Sequence, residues 1–216
     1  MMEKELLVFD LDGTIIDSSE DIAWAANMTL GSLGRDAATL ETVKENIGWG
    51  VKPLLERLMP DIPPEAIDGA RLRFLEYYGG HLAVSSYVYP GVRETIGHFR
   101  SSGKKMAVVT NKPVKLSEDL LGSLSLSAFF DLVVGGDSFP NRKPHPEPLL
   151  KTLEILKVDP GNSVFVGDSP TDSETGKNAG VFTIGVSYGF RPLEELKGAG
   201  FGLLIDDFSR LKDIIR

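Results

Sequence analysis

Six short apolar runs recur along the chain, at residues 6–9, 105–109, 132–134, 163–166, 182–186 and 202–205. Runs of this length, rich in Val, Ile, Leu and Phe, match strands buried on both faces, and helix-sized segments lie between them. Parallel strands need such crossovers, because a tight hairpin cannot join them. Helix signals fall in the intervals: residues 92–102 are stopped by Gly103, and residues 146–157 open with prolines suited to a first turn. The expected fold class is α/β, with a doubly wound (Rossmann-like) parallel sheet as its core.

One interval is too long for a crossover. Between Asp10 and Lys105, residues 18–86 carry helix patterns and no strand. In "SSEDIAWAANMTLGSLG", Ser18 with Asp21 resembles a capping box, Ile22, Ala26, Thr29, Leu30 and Leu33 recur at helical spacing, and Gly34 is a stop. Further helices fit residues 40–46, 51–59 and 64–78. The expectation is an inserted all-helical cap domain at 18–86, left through "YVYPGV", with the core formed by 1–17 and 87–216. The closing stretch "DDFSRLKDIIR" reads as an amphipathic helix covering the sheet.

Charge narrows the possible partners. Lys and Arg number 23 against 31 Asp and Glu, a net charge of −8, so the basic face of a nucleic-acid binder is not expected. Without cysteine there is no disulfide or thiolate metal site, which suits a reducing compartment. No apolar run is long enough to span a bilayer. The reading is a cytoplasmic protein, monomer or homodimer, acting on a small molecule rather than on nucleic acid or membrane.

The polar residues cluster where an open parallel sheet binds ligands, at the carboxyl ends of the runs. These ends read Asp10-Leu11-Asp12-Gly13-Thr14, Thr110-Asn111-Lys112 and Gly167-Asp168-Ser169-Pro170-Thr171-Asp172, with Lys143 in the loop "NRKPHPEP". Hydrolysis of a phosphate monoester explains this set. The anionic oxygens of the ester repel nucleophiles, so the reaction needs positioning, a cation, donors and an acid for the leaving group. Mg²⁺ prefers oxygen ligands and commonly takes carboxylates, waters and a phosphate oxygen. Asp10 and Asp168 can supply those carboxylates if their strands are adjacent. Asp10 can also attack phosphorus, giving an aspartyl-phosphate. Asp12 is placed to protonate the leaving oxygen and then activate water. Lys143 offsets surplus negative charge, and Thr110 with Asn111 offers donors to phosphate oxygens.

Together, "DLDGT", "VVTN", "RKP" and "GDSPTD" resemble the four motifs of the haloacid dehalogenase superfamily of phosphohydrolases, with a helical cap in the C1 position. The resemblance implies Asp10 as nucleophile and Asp12 as general acid/base. It implies Mg²⁺ bound by the side chains of Asp10 and Asp168 and by the main-chain carbonyl of Asp12. Thr110 and the Asn111 amide would hold the phosphoryl group, Lys143 would fix nucleophile and phosphate, and Asp172 would orient metal waters or Lys143. Within the superfamily the chain is most similar to phosphoglycolate phosphatases, on "FDLDGTIIDSSEDIAWAAN", "YPGVRETI", "VVGGDSFPNRKPHPEPLL" and "GVSYGF". The implied substrate is 2-phosphoglycolate. The alternatives are a β-phosphoglucomutase-like phosphoryl-transfer enzyme, a pyrophosphatase of the same superfamily, or, in another class, a phospho-accepting signalling module.

In the cap, "NIGWGVKPLLERL" sets Gly48 and Gly50 before a helix start that could accept a substrate carboxylate, with Lys52 or Arg57 as partners. The competing reading is a flexible turn and a solvated cationic face. Trp49 is expected in packing, and His145 as a loop histidine without a metal.

Overall fold

The computed structural model describes residues 1–216 and gathers the six apolar runs into one parallel sheet. In chain order its strands are β1 (Leu6–Phe9), β4 (Lys105–Val109), β5 (Leu132–Val134), β6 (Ser163–Gly167), β7 (Phe182–Val186) and β8 (Leu203–Ile205). They lie side by side as β5-β4-β1-β6-β7-β8. The chain leaves β1 toward β4 and leaves β6 toward β7, so the topology reverses between β1 and β6. A crevice opens at such a point, beyond the carboxyl ends of both strands. Asp10 follows β1 and Asp168 follows β6, one on each side of it.

Successive strand residues face opposite layers. Leu7 and Phe9 point into a cluster with Val92, Ile96 and Phe99 of α5 (Val92–Ser101) and Leu120 and Leu121 of α6 (Val114–Ser123). Leu6 and Val8 point the other way, onto Leu149 and Leu153 of α7 (Glu147–Leu156) and Ala179 of α8 (Pro170–Ala179). A short α9 (Leu193–Gly198) links β7 to β8. The expected C-terminal helix shrinks to a 3-10 turn and α10 (Leu211–Ile214), yet Phe208, Leu211 and Ile215 still cover the sheet.

The long interval holds α1 (Ser19–Ser32), α2 (Leu40–Asn46), α3 (Val51–Leu58) and α4 (Ile67–Gly80). These helices pack around a separate apolar cluster that includes Ile22, Ala26, Leu30, Leu55, Phe74 and Tyr78. The two chain crossings at their base pair as an antiparallel ribbon, β2 (Ile16–Asp17) with β3 (Tyr87–Val88), where the sequence suggested only linkers.

The expected capping box at Ser18 and Asp21 does not form. Ser18 makes no side-chain cap; its hydroxyl donates to Asp12 Oδ1 at 2.5 Å. Asp21 accepts instead from the Ser85 and Ser86 amides, both at 2.9 Å, and from the Ser86 hydroxyl at 2.6 Å. Long-range partners win because the ribbon brings residues 85–86 against the first turn of α1, where the Ser86 amide would otherwise be buried without an acceptor. His81 Nε2 lies 3.6 Å from the same carboxylate, and its ring stacks on Trp24.

Asp21→Ala should therefore cost about 3 kcal/mol, since it orphans the buried Ser86 amide and hydroxyl. Urea denaturation measures this, and a loss below about 0.5 kcal/mol, the range of an ordinary surface change, would contradict the assignment.

Candidate active site

The loop after β1 can turn only because Gly13 lacks a side chain. Its φ is +86°, and a Cβ there would fall 2.2 Å from Asp168 Oδ2. A larger residue would both strain the backbone and displace a carboxylate of the site. Asp10 is set by the sheet, its amide donating to the Val166 carbonyl at 2.9 Å. Asp168 Oδ2 accepts from the Phe190 amide at 2.8 Å.

Asp10, Asp168 and Asp172 are all buried, and one carboxylate oxygen from each lies within 4.8 Å of the others. Lys143 threads between two of them. Its Nζ donates to Asp172 Oδ1 at 2.7 Å and lies 2.8 Å from Asp10 Oδ1. The second contact is close enough for an ion pair but not aligned as a hydrogen bond, and Asp10 Oδ1 has no other donor. Asp172 Oδ2 is held by the Ser169 amide and hydroxyl at the start of α8, at 3.1 and 2.7 Å.

Burial pushes the Asp10 carboxyl up to about 6, against the pull of Lys143 and with a further push from Asp172. Burial, together with Asp172 and Asp10, raises Asp168 well above the carboxylate range. Burial alone would lower Lys143, but Asp10 and Asp172 outweigh it and hold the ammonium charged. Three buried carboxylates against one lysine leave negative charge uncompensated. An all-oxygen set of three carboxylates within 4.8 Å of one another fits a hard divalent cation.

Asp12 faces a different set of partners. Lys112 Nζ donates to its two oxygens at 3.0 and 3.1 Å and to the Tyr78 hydroxyl at 2.6 Å. Lys112 and Tyr78 were not singled out from sequence. Lys112 stood in the stretch after β4, adjacent to Asn111, but Tyr78 in α4 carried no signal beyond helical burial. Burial would lower the Lys112 ammonium, and Asp12 and Tyr78 reverse that.

Between the sheet and the helices lies a cleft of about 510 Å³ including its open mouth. Asp10, Asp12, Thr110 and Asn111 line it from the strand ends, Gly48 and Gly50 from the helices. Asn111 Nδ2 donates to the Gly48 carbonyl at 2.9 Å and to the Lys143 carbonyl at 3.0 Å, so one side chain touches both walls. Gly50, the N-cap of α3 at φ +93°, would place a Cβ 3.1 Å from Arg142 Nη1. Arg191, also missed from sequence, is a buried tie. It donates to the carbonyls of Lys44, Glu45 and Ile47, which close the last turn of α2.

Lys52 and Arg57 do not join the site. Both are exposed and absent from the cleft, and the Arg57 guanidinium sits 5.1 Å over the Trp49 ring. A helix start turned toward the cleft directs Gly48 and Gly50 inward but puts position 52 on the outer surface. His145 is exposed, its Nδ1 accepting from the Glu147 amide at 3.1 Å, and belongs to no carboxylate cluster.

The carboxyl shifts carry a pH consequence. Asp10 binds its proton more tightly in the fold, at about 6, than at its ordinary value of 3.8. Without a cation the folded state therefore holds the extra proton across that window, and this group's contribution to stability falls as pH rises through it. A divalent cation must displace such protons, so its binding strengthens with pH. The thermal shift produced by MgCl₂ should be several degrees larger at about pH 7.5 than at about pH 5, and Asp168→Asn should abolish the difference. An increment independent of pH would mean the carboxylates are already ionised at the lower value.

Comparison with known proteins places the chain in a family. A model of the family described as haloacid dehalogenase-like hydrolase matches residues 7–186. A phosphoglycolate phosphatase from Psychrobacter arcticus is 35% identical, over 99% of this chain and 96% of its own length. One from Aquifex aeolicus is 42% identical, over 86% of this chain and 85% of its own. Among solved structures, a protein described as a predicted phosphoglycolate phosphatase from Haemophilus somnus 129pt superposes with a TM-score of 0.93 at 30% identity, covering 98% of this chain and 97% of its own. CbbY from Rhodobacter sphaeroides, solved in complex with phosphate, gives 0.85 at 26% identity, with 96% of each chain covered. The chain belongs to the haloacid dehalogenase-like hydrolase family.

Proposed function

We propose that this phosphatase hydrolyses 2-phosphoglycolate, with Mg²⁺ as its cation and Asp10 as the nucleophile. The observation that carries the mechanism is the pairing of opposite environments two residues apart. Asp10 lies among carboxylates with the Lys143 ammonium 2.8 Å from its Oδ1, whereas Asp12 lies apart, held by Ser18 and Lys112. One aspartate is thereby free to form a bond to phosphorus and the other to move a proton.

Asp10 and Asp168 would hold the cation, with the main-chain carbonyl of Asp12, and Asp172 would stand behind them. The cation supplies charge neutralisation for the phosphoryl oxygens when bound. Thr110 and the Asn111 amide would donate to those oxygens, and Lys143 would steady Asp10 against them. As Asp10 attacks, the bond from phosphorus to the bridging oxygen breaks and Asp12 gives that oxygen a proton. In the second step Asp12 takes a proton from water, which attacks the aspartyl-phosphate and restores Asp10.

The substrate name is supported by the relatives that bear it. The helices α1–α4 would act as a cap domain at residues 18–86 that closes over the substrate, with the β2–β3 ribbon as its base and core residues 1–17 and 87–216 fixed beneath. No helix is long and apolar enough to cross a membrane.

Asp10→Asn should abolish turnover, and Asp12→Asn should lower kcat by about 10²–10⁴. Wild-type-like phosphate release by freshly prepared Asp10→Asn protein would remove it from the role of nucleophile. For the substrate, kcat/KM for 2-phosphoglycolate should exceed that for pyrophosphate and a panel of sugar phosphates by about a hundredfold or more. A flat profile would retain the chemistry and discard the substrate.

A further inference from the structure

The cleft has apolar walls of Ile22, Ile47, Val51, Leu54, Phe74 and Leu116, and Lys112 is the one cation among its lining residues. A second anionic group on a substrate could not rest against those walls unpaired, since burying an unmatched charge is costly. Lys52 and Arg57, the cations suggested by sequence, are on the outer surface.

The hydroxyl beside Lys112 is half used. A lysine only donates, so in the 2.6 Å contact the Tyr78 oxygen is the acceptor. The phenol's own proton has no acceptor in the protein, although Tyr78 is 1% exposed and also lines the cleft. Buried donors are rarely left without partners. Burial holds this phenol's pKa up at about 12, so it remains a donor.

We propose that Lys112 and Tyr78 together form the receptor for the carboxylate of the substrate, Tyr78 donating its unused hydroxyl proton to one oxygen and Lys112 exchanging one of its two Asp12 contacts for the other. The inference rests on the reading of 2-phosphoglycolate as the substrate and adds the residues that would select it. The chemistry of that ester demands such an arrangement. In the glycolate leaving group only one methylene separates the bridging oxygen from the carboxylate carbon. The side chain that protonates the bridging oxygen and the groups that grip the carboxylate must therefore be neighbours. Lys112 touches both oxygens of Asp12, which meets the requirement.

The pair also spans the two walls. Lys112 comes from the loop after β4 and Tyr78 from α4, so a carboxylate held by both would join the helices to the sheet over the reacting phosphate. A phosphomonoester ending in a neutral group would gain neither the charge-assisted bonds nor that bridge.

The test compares 2-phosphoglycolate with 2-hydroxyethyl phosphate, in which a neutral hydroxymethyl group replaces the carboxylate. Wild-type protein in saturating MgCl₂ should favour the carboxylate ester by about a hundredfold in kcat/KM. Lys112→Met and Tyr78→Phe should each reduce that ratio by about tenfold or more, mainly through KM for 2-phosphoglycolate, and Lys112→Arg should retain more of it than Lys112→Met. Tyr78→Phe keeps the ring in its apolar setting and serves if Lys112→Met does not fold. Loss of activity on both esters by the same factor, with the ratio intact, would show that the pair only places Asp12 and would overturn the proposal. A wild-type ratio near one would defeat the substrate reading itself, before any variant is made, and the proposal with it.

Discussion

Crowding of like charge at the carboxyl end of the sheet is the constraint around which this molecule is arranged. Asp10, Asp12, Asp168 and Asp172 are all buried there, and the buried ammonium groups of Lys112 and Lys143 pair with them. Four carboxylates with two lysines leave an excess that protein groups do not neutralise. Burial without compensation drives carboxyls toward their protonated form, which is the direction taken by Asp10 and Asp168. The site thus gives up some stability of the bare fold, a trade common where function sets local structure.

The sheet makes that crowding possible by its order. Reversal of the topology between β1 and β6 opens a crevice flanked by Asp10 and Asp168, and Gly13 allows the intervening loop to approach within the space a Cβ would occupy. The two lysines divide the carboxylates into separate settings. Lys143 lies between Asp10 and Asp172, Lys112 beside Asp12. Two aspartates so close in sequence can therefore differ in chemistry, because each answers to different neighbours.

The helices over the sheet are tied to it by three side chains, two of which also line the cleft. Asn111 reaches Gly48 and the Lys143 backbone, Arg191 closes the end of α2, and Lys112 meets Tyr78. A shift of the helices would be felt at Asn111 and Asp12 through single hydrogen bonds. This links the position of the helices with the arrangement of the groups beneath them.

Much of this was legible in the chain itself. The six strands lie where apolar runs of strand length stand, since a strand buried on both faces has no other way to be written. The residues directly after those runs follow from them, which is why Asp10, Thr110 and Asp168 were found in order. What could not be read were partners chosen by distance in space. Ser18 and Asp21 carry a local capping pattern, yet Asp12 and the 85–86 amides claim them. Lys52 and Arg57 have the right charge, yet a helix of 3.6 residues per turn puts them on the outer surface. Tyr78 reads as an ordinary core aromatic until the fold sets Lys112 against its hydroxyl. Periodicity and chain order are local properties and determine the strands and their ends. Which charge meets which, across 34 residues for Lys112 and Tyr78 or 100 for Lys112 and Asp12, is decided only when burial forces each polar group to find a partner.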